Sequence, residues 1–373
     1  MRVTPITTRE QVAQEYHYAY DEVVATYNGR VVGPLRVLFY CPELARRVSS
    51  IGAAMRLASP FPAARELAII AAAREWDCLY EWFAHEPGAK RTGVSEAAIE
   101  AVRHNKALTG VAEEEAQVVQ YVRSLLRTHR VPSPLFKKMA AKFGVPGVME
   151  LTATVGFYQI FACVMNAFEV PGDTPIDLPI KPRKGAQPEA ELRPYHGQGA
   201  RIPLIASKDG LSPEQQSAFD DIAASRGGRL AGPFQALLHL PEVARRAAHA
   251  GSAVRFDSPL APDVRELTII AAARENECAY ELSAHIPLAR QAGVAEDVIS
   301  VVEGGKGVSS LPPAEAQVIS FVRELLRANR ISEETYQAAL GRFGLEGLVQ
   351  FTTLIGYYSM LACVMNAVEV QPG

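Results

Sequence analysis

Apolar residues recur along this chain with the spacing of helices. Positions i, i+3, i+4 and i+7 are apolar in residues 48–57, 67–83, 116–126 and 148–168. Glycine, serine or proline interrupts the pattern at Gly33-Pro34, Ser59-Pro60, Pro87-Gly88, Val131-Pro132 and Gly144-Val145-Pro146. No run alternates convincingly between apolar and polar residues, as a half-buried strand does. The pattern predicts an all-α protein in which residues 67–83 lie on one helix.

The same pattern occurs twice. Residues 65–85 and 265–285 are identical at fifteen of twenty-one positions, and residues 28–34 and 156–170 resemble 227–233 and 356–370. A repeat of about 200 residues is too long for a solenoid, whose units have about 20–45 residues. We therefore expect two helical domains related by internal duplication, at 1–170 and 206–373. A linker at 171–205 is expected between them because prolines are frequent there.

Length and charge narrow the class of protein. The chain has 373 residues, enough for two domains, and a formal net charge of −3. No block of lysine and arginine stands out, so we expect no nucleic-acid partner. No apolar run approaches the roughly 18–20 residues that span a bilayer, and the N-terminal residues lack the apolar core of a secretory signal. We expect no membrane partner and a cytoplasmic location.

The cysteines are expected to be reduced thiols. The chain has five, an odd number, and none lies in a Cys-x-x-Cys motif. Four of them form two pairs related by the repeat, Cys78 with Cys278 and Cys163 with Cys363. A disulfide framework is therefore not expected.

A set of polar residues accompanies the repeated helix. At about 100° per residue, four side chains of each copy fall on one helical stripe about 60° wide: Arg74, Cys78, Glu81 and His85, and Arg274, Cys278, Glu281 and His285. Histidine can exchange a proton near neutral pH, and a glutamate one turn away can orient the imidazole or act as the base. Arginine can bind a substrate carboxylate. The stripe therefore predicts proton-transfer chemistry.

Structural interpretations compete with this one. A Glu–His pair at i, i+4 can decorate a helix surface, a cysteine can be a small core residue, and an arginine can pair within the fold. Glu66 and Glu266 lie off the stripe and would reach it only if the helix breaks or a neighbour folds over it. Further candidates for the pocket are residues that adjoin the stripe or repeat as cations: Tyr80, Tyr280, Trp82, Arg56 and Arg255.

At these residues both halves resemble the carboxymuconolactone decarboxylase and alkyl hydroperoxidase D family. The resemblance lies in the Arg-Glu-Leu-Ala-x-x-Ala-Ala-Ala-Arg helix and in the continuation His85, Ala89, Gly93 and Val94. The peroxidase branch of the family carries Glu-x11-Cys-x-x-Cys-x-x-x-His. Glu81 and Glu281 occupy the position of its second cysteine, so the dithiol that this cycle needs is missing there.

The resemblance implies a lyase that works by acid–base chemistry without a cofactor or metal. The substrate would be a small carboxylated lactone or enol of aromatic catabolism, undergoing decarboxylation or a related isomerisation or hydrolysis. Glu81 with His85, and Glu281 with His285, would be the acid–base pairs. Arg74 and Arg274 would orient the substrate. The family's oligomers lead us to expect a homo-oligomer, a trimer or a dimer of two-domain chains.

The alternative implied by the peroxidase branch is a thiol-dependent peroxidase or redox protein that uses Cys78 and Cys278. Both cysteines are therefore counted among the candidate catalytic residues, with Glu66 and Glu266 in a supporting role.

Overall fold

The computed structural model describes residues 1–57, 59–171, 192–197 and 199–372, and in them the chain is all-α. Two short 3-10 helices, Arg9–Gln11 and Gln14–Tyr16, precede the first α-helix. The first copy contains eight α-helices: α1 (His17–Thr26), α2 (Leu35–Leu38), α3 (Pro42–Leu57), α4 (Pro62–Glu75), α5 (Leu79–Arg91), α6 (Glu96–Arg103), α7 (Glu113–Thr128) and α8 (Ser133–Phe168).

The second copy has the same order of helices with nearly the same lengths. Its members are α9 (Pro213–Ala224), α10 (Gly232–Leu237), α11 (Pro241–Arg255), α12 (Pro262–Glu275), α13 (Ala279–Gln291), α14 (Glu296–Glu303), α15 (Pro313–Ala328) and α16 (Glu333–Val368). The Ser212 side chain accepts a hydrogen bond from the Gln215 amide and caps α9. The all-α class predicted from the apolar spacing is confirmed.

The prediction of one helix over residues 67–83 is wrong. α4 ends at Glu75, and α5 begins at Leu79 after a short break. Asp77 in this break has φ of +49°, which takes the chain out of the helical path. Glu277 has the same φ in the second copy. The four polar residues of each stripe are therefore divided between two helices.

Of two other predicted breaks, the one at Pro87-Gly88 is wrong and the one at Gly144 is present as a kink. Helix α5 continues through Pro87, so the expected break at Pro87-Gly88 is wrong even though proline cannot donate a backbone hydrogen bond. At Gly144 the chain turns sharply within α8, because φ of +68° is a conformation that glycine adopts without steric cost. The breaks at Ser59-Pro60 and Val131-Pro132 fall between helices as expected.

Helix α4 forms the centre of the first copy. Every residue from Glu66 to Glu75 is buried, including the charged Glu66, Arg74 and Glu75. Helices α5, α7 and α8 pack around it, as α13, α15 and α16 pack around α12. A helix that is buried on all sides can carry a run of alanines, because small side chains let its neighbours approach.

The two copies meet along α8 and α16. A Cβ atom added to Gly156 would lie 2.8 Å from Met360 Cγ, and one added to Gly356 would lie 2.7 Å from Ile160 Cα. The repeat relates Gly156 to Gly356 and Ile160 to Met360. Such reciprocal contacts are those that a two-fold relation between the copies produces.

The helices α8 and α16 also correct an expectation about apolar runs. Ser133–Phe168 and Glu333–Val368 are each long and apolar enough to cross a membrane by length and composition. The expectation that no segment approaches this limit is therefore wrong. The apolar window of each helix is 100% buried inside the protein, as in the core helices that pass the same test.

The predicted linker at 171–205 lies mostly outside the described residues, which omit 172–191 and 198. Its described part contacts the second copy. Arg193 Nη1 lies 2.9 Å from the carboxylate of Glu277, and Tyr195 donates a hydrogen bond to Asn366 at 3.2 Å. The division into domains at 1–170 and 206–373 stays a prediction.

Candidate active site

The break between α4 and α5 brings Glu66 to His85. The two helices pack against each other, so a residue in the first turns of α4 lies beside the second half of α5. His85 Nδ1 donates a hydrogen bond to Glu66 Oε2 at 2.9 Å. Glu66 was expected to reach the site only if the helix breaks or a neighbour folds over it, and the structure shows a broken helix.

Glu81 stands on the other side of the same imidazole. Its Oε2 lies 3.5 Å from His85 Nε2, and its side chain is almost fully buried. The i, i+4 pairing of Glu81 and His85 is thus present, although 3.5 Å is longer than a good hydrogen bond. Glu66, His85 and Glu81 form a row of three groups that can exchange protons, which we call the proton row.

The two carboxylates of the proton row differ in acidity. Burial raises the pKa of Glu81 to about 7, against the opposing charges of His85 and Arg56. Burial acts on Glu66 in the same direction, but its hydrogen bond with His85 and the charges of His85 and Arg65 outweigh burial and lower the pKa of Glu66. Two carboxylates whose pKa values are pushed apart are typical of a base and an acid in one site.

The second copy repeats the proton row with the same geometry. His285 Nδ1 donates to Glu266 Oε2 at 2.8 Å, and His285 Nε2 lies 3.5 Å from Glu281 Oε2. Burial raises the pKa of Glu281, and Glu281 Oε1 is buried without a hydrogen-bond partner. A buried carboxylate oxygen without a partner costs free energy, and protonation of Glu281 or contact with a ligand would relieve this cost.

A cavity of about 410 Å³ opens onto the proton row of the first copy. Its walls come from the α1–α2 connection, α3, α4, α5 and α8. The charged and aromatic residues that line it are Tyr27, Arg30, Arg56, Glu66, Tyr80, Glu81, His85, Arg91, Tyr158 and Phe161. Three arginines among these residues make the cavity suitable for an anionic ligand.

The cavity of the second copy measures about 310 Å³ and lies at the equivalent place. Three arginines line this cavity as well, Arg226, Arg229 and Arg255, together with Glu281 and His285. We call the two cavities the first pocket and the second pocket.

The tyrosines beside the stripe form part of the pocket walls. The hydroxyl of Tyr80 accepts a hydrogen bond from the Gly33 amide at 2.7 Å, and Tyr280 does the same with Gly232 at 2.9 Å. These bonds join α5 to the α1–α2 connection and α13 to the start of α10. Both tyrosines therefore line their pockets with the hydroxyl oxygen turned to a backbone amide.

A second tyrosine approaches each imidazole and was not predicted. The Tyr158 ring meets the His85 ring edge-on, with 4.8 Å between their centroids, and Tyr358 meets His285 in the same way at 5.1 Å. Burial raises the pKa of both tyrosines well above the usual range, so each keeps its hydroxyl proton. The repeat of residues 156–170 contains both tyrosines, but nothing in the sequence placed that segment beside the histidines.

Several predicted site residues do not line the described pockets. The Arg74 side chain is buried, donates to the Arg103 carbonyl and pairs with Asp77, while Arg274 donates to the Glu303 carbonyl. The helix break turns these arginines away from the proton row. The structure therefore contradicts the shared stripe of Arg74 and Glu81.

Trp82 and the two thiols also lie outside the pocket linings. Trp82 is buried and donates to Glu86 Oε2 at 2.8 Å. Cys78 and Cys278 are the N-cap residues of α5 and α13 and are at most 2% exposed. Burial raises the pKa of both thiols, which disfavours the reactive thiolate.

Arg56 and Arg255 were predicted as further candidates for the pocket, and both line their pockets. The Arg56 guanidinium lies over the Tyr27 ring, 4.6 Å from its centroid. Arg255 lies 3.6 Å from Glu266. In the described part of the chain no carboxylate lies within ion-pair distance of Arg56, which leaves its charge available to a ligand.

Fold and site together define an all-α protein with a buried Glu–His–Glu arrangement at an arginine-lined cavity. Residues 241–324, which contain Glu266, Glu281 and His285, match the model of the Carboxymuconolactone decarboxylase family. The resemblance seen in the sequence is confirmed for these residues, and the tandem form stays a prediction. A search of the curated proteins gives no match. The match suggests an enzyme with decarboxylase-like or alkyl hydroperoxidase-like activity.

Proposed function

We propose that the protein is a cofactor-independent acid–base enzyme that acts on a small carboxylated lactone or enol. The reaction would be decarboxylation, or a related isomerisation or hydrolysis, in aromatic catabolism. The observation that carries the proposal is the proton row: a buried carboxylate with a pKa of about 7 faces an imidazole that a second carboxylate orients. A group of that pKa can hold or release a proton at neutral pH.

The pocket supplies the groups that decarboxylation needs. Arg56 and Arg30 would orient the carboxylate of the substrate. The bond to the departing carboxylate breaks, carbon dioxide leaves, and the electron pair passes into the unsaturated lactone as a dienolate. Glu81 then gives its proton to carbon, and His85 returns a proton to Glu81 from solvent. No electron is gained or lost overall, so the sequence of steps needs no oxidant.

The same groups would serve an isomerisation. Glu81 in its ionised form removes a proton from carbon, His85 shares the charge, and the proton returns at another carbon of the conjugated system. A carboxylate serves in both directions only if its pKa lies near the working pH. The value of about 7 for Glu81 meets this condition.

The thiol alternative receives less support from the site. Cys78 is 2% exposed and Cys278 is fully buried, and neither lines its pocket. Peroxide reduction needs a thiolate that the peroxide can reach. We therefore propose acid–base chemistry. Substitution of the two thiols serves as a test of this proposal.

The test replaces both histidines, His85→Gln and His285→Gln, in one chain. Turnover is measured on a panel of carboxylated five-membered unsaturated lactones by carbon dioxide release and by deuterium incorporation from D2O. We expect kcat to fall by about 10³-fold or more, because general acid–base groups contribute about 10²–10⁴-fold each. His104→Gln is the matched control, since His104 pairs with Glu100 outside the first pocket. Full turnover by a folded double variant would contradict the proposal.

A further inference from the structure

One inner position differs in charge between the two pockets. Tyr27 and Arg226 are equivalent in the repeat, each follows the first helix of its copy, and each lines its pocket. We propose that this position sets the charge of the ligand: the first pocket takes a monoanion, and the second takes a compound with two neighbouring acidic groups. This rests on the proposed function only in treating both pockets as sites for small anions.

In the first pocket the inner position is neutral. Tyr27 provides an aromatic ring on which the Arg56 guanidinium stacks at 4.6 Å. Burial raises the pKa of the Tyr27 hydroxyl, so it carries no charge near neutral pH. The other two arginines of this pocket, Arg30 and Arg91, are exposed at its mouth. One partly buried guanidinium is therefore available inside, which matches one acidic group.

In the second pocket the inner position is a cation. Arg226 stacks on the Phe234 ring at 4.5 Å and donates hydrogen bonds to Ser225 Oγ at 2.6 Å and the Ala248 carbonyl at 3.0 Å. These bonds fix the guanidinium without neutralising it. No carboxylate of the described chain lies within ion-pair distance of Arg226.

Arg226 also feels the charge of Arg255. Burial is the main cause that lowers the pKa of Arg226, and the nearby positive charge of Arg255 acts in the same direction. Among the described residues, the carboxylate within ion-pair distance of Arg255 is that of Glu266, at 3.6 Å. Two partly buried guanidinium groups thus face one pocket with incomplete compensation. Buried charge without a partner is costly, and a ligand with two acidic groups would supply both partners.

Two further positions differ in the size of the side chain that lines the pocket. Leu288 lines the second pocket where Gly88 lines the first, and a Cβ atom added to Gly88 would come within 2.8 Å of Glu66 Oε2. Leu361 stands where the first pocket has Phe161. The second pocket is the smaller, at about 310 Å³ against 410 Å³. A smaller pocket with more inner charge favours a compact dianion.

The test compares two aromatic acids of similar size by isothermal titration calorimetry on the full chain. Benzoate carries one carboxylate, and phthalate carries two on adjacent carbons. We expect one site per chain to bind phthalate at least tenfold more tightly than benzoate, a difference of about 1.4 kcal/mol. Arg226→Tyr, which copies the first pocket, should abolish that preference. Tyr27→Arg should raise the number of phthalate-preferring sites from one to two.

Matched variants separate the effect from general loss of charge or fold. Arg290→Gln removes an exposed arginine that pairs with Glu296 outside the second pocket, and should leave the preference unchanged. Arg226→Gln removes the charge in a second way if Arg226→Tyr fails to fold. Retention of the preference in both Arg226 variants, or binding of neither acid to the wild type, would overturn the proposal.

The outcomes also distinguish this proposal from the acid–base proposal. The binding experiment is repeated in the chain with His85→Gln and His285→Gln, where turnover is not required. A charge preference that depends on Arg226, together with a wild-type chain that turns over none of the lactones, would support the charge assignment and contradict the acid–base assignment. Turnover that depends on the histidines, with no effect of Arg226 on binding, would do the reverse.

Discussion

Glu66 on α4 accepts a hydrogen bond from His85 on α5, with 2.9 Å between Oε2 and Nδ1. Nineteen positions separate the two residues, and the chain leaves the helical path between them. The bond fixes which nitrogen of the imidazole carries the proton and turns Nε2 towards Glu81. The break after α4 is therefore part of the site, because an unbroken helix would keep Glu66 away from His85.

Replacing Glu66 with glutamine should reduce catalysis more than binding. The amide keeps an oxygen that can accept from Nδ1, but it loses the charge that stabilises a protonated imidazole. We expect kcat to fall by about 10–100-fold, the usual cost of losing a partner that orients a histidine. KM should change by less than about threefold, because Glu66 would not hold the substrate. The measurement is steady-state kinetics in a chain whose second site carries His285→Gln.

The control for this experiment is Glu100→Gln, which removes a carboxylate that pairs with His104 outside the first pocket. Its kinetics should match those of the parent chain. An unchanged kcat in Glu66→Gln would show that the hydrogen bond to His85 is structural only.

The raised pKa of Glu81 predicts an unusual dependence of stability on pH. Its folded-state pKa is about 7 against an ordinary 4.5, so the folded state binds a proton more tightly than the unfolded state. This contribution is present below pH 4.5 and is lost as pH rises through 7. A shift of this size corresponds to a few kcal/mol at most, at about 1.4 kcal/mol per pH unit. Glu81→Gln removes the titrating group and should therefore be more stable than the wild type at pH 8.

Thermal unfolding of wild type, Glu81→Gln and Glu281→Gln between pH 5 and 8 measures this effect. Glu281→Gln should show the same pH dependence of stability as Glu81→Gln, because burial raises the pKa of Glu281 as well. Glu96→Gln provides the control, since its side chain is 62% exposed. A wild type whose stability advantage over Glu81→Gln grows as pH rises would contradict the assignment.

The sequence predicted the helical class because the apolar period of α3, α7 and α8 reflects one buried face or a buried helix. It also predicted the Glu81–His85 pair, since four residues on one helix are always neighbours. It could not predict the end of α4 at Glu75, because Trp76, Asp77 and Cys78 include no glycine or proline to mark a break. Aspartate tolerates the left-handed conformation better than most residues, yet Glu277 adopts it at the equivalent position, so residue type alone does not mark this break.

The remainder of the pocket depends on tertiary contacts. Tyr27 and Tyr158 lie more than fifty positions from His85 in opposite directions along the chain, yet both line its pocket. Only the packing of α1 against α3, of α3 against α8 and of α8 against α5 brings them there. Arg74 shows the opposite case: it is close to His85 in sequence, and the break turns it towards Arg103.

Removal of the two thiols should leave the activity in place. Cys78 and Cys278 are buried, and burial raises the pKa of both. We expect Cys78→Ala with Cys278→Ala to retain kcat within about threefold and to lose about 1 kcal/mol of stability per site, as small core truncations do. Kinetics and thermal unfolding give the two values.

Mass spectrometry adds a second measurement on the thiols. Mild peroxide should form no sulfenic acid at Cys78 or Cys278 in the folded wild type, while the unfolded chain, in which the thiols are accessible, should react. Rapid modification of Cys78 in the folded protein, or loss of turnover in the alanine variant, would favour the thiol-dependent alternative.

A side chain at Gly156 or Gly356, where α8 and α16 meet, should destabilise the protein. A Cβ atom at Gly156 would lie 3.0 Å from Met360 Cα, and one at Gly356 would lie 2.7 Å from Ile160 Cα, which are backbone atoms that a rotamer change cannot move. Gly156→Ala and Gly356→Ala should therefore push α8 and α16 apart and destabilise the chain by about 1–3 kcal/mol each, the usual cost of overpacking. Thermal unfolding measures the loss.

Gly341 supplies a matched control on the same helix as Gly356. It is exposed on α16, and a Cβ atom there would meet nothing within 4 Å. Gly341→Ala should raise stability by about 0.5–1 kcal/mol, because alanine loses less backbone entropy in a helix than glycine. If Gly341→Ala raises stability and Gly356→Ala lowers it, the effect of the close approach of the helices is separated from the effect of helix propensity. Since Tyr158 and Tyr358 lie two positions beyond the interface glycines, the destabilised variants should also lose activity in both pockets, whereas Gly341→Ala should not.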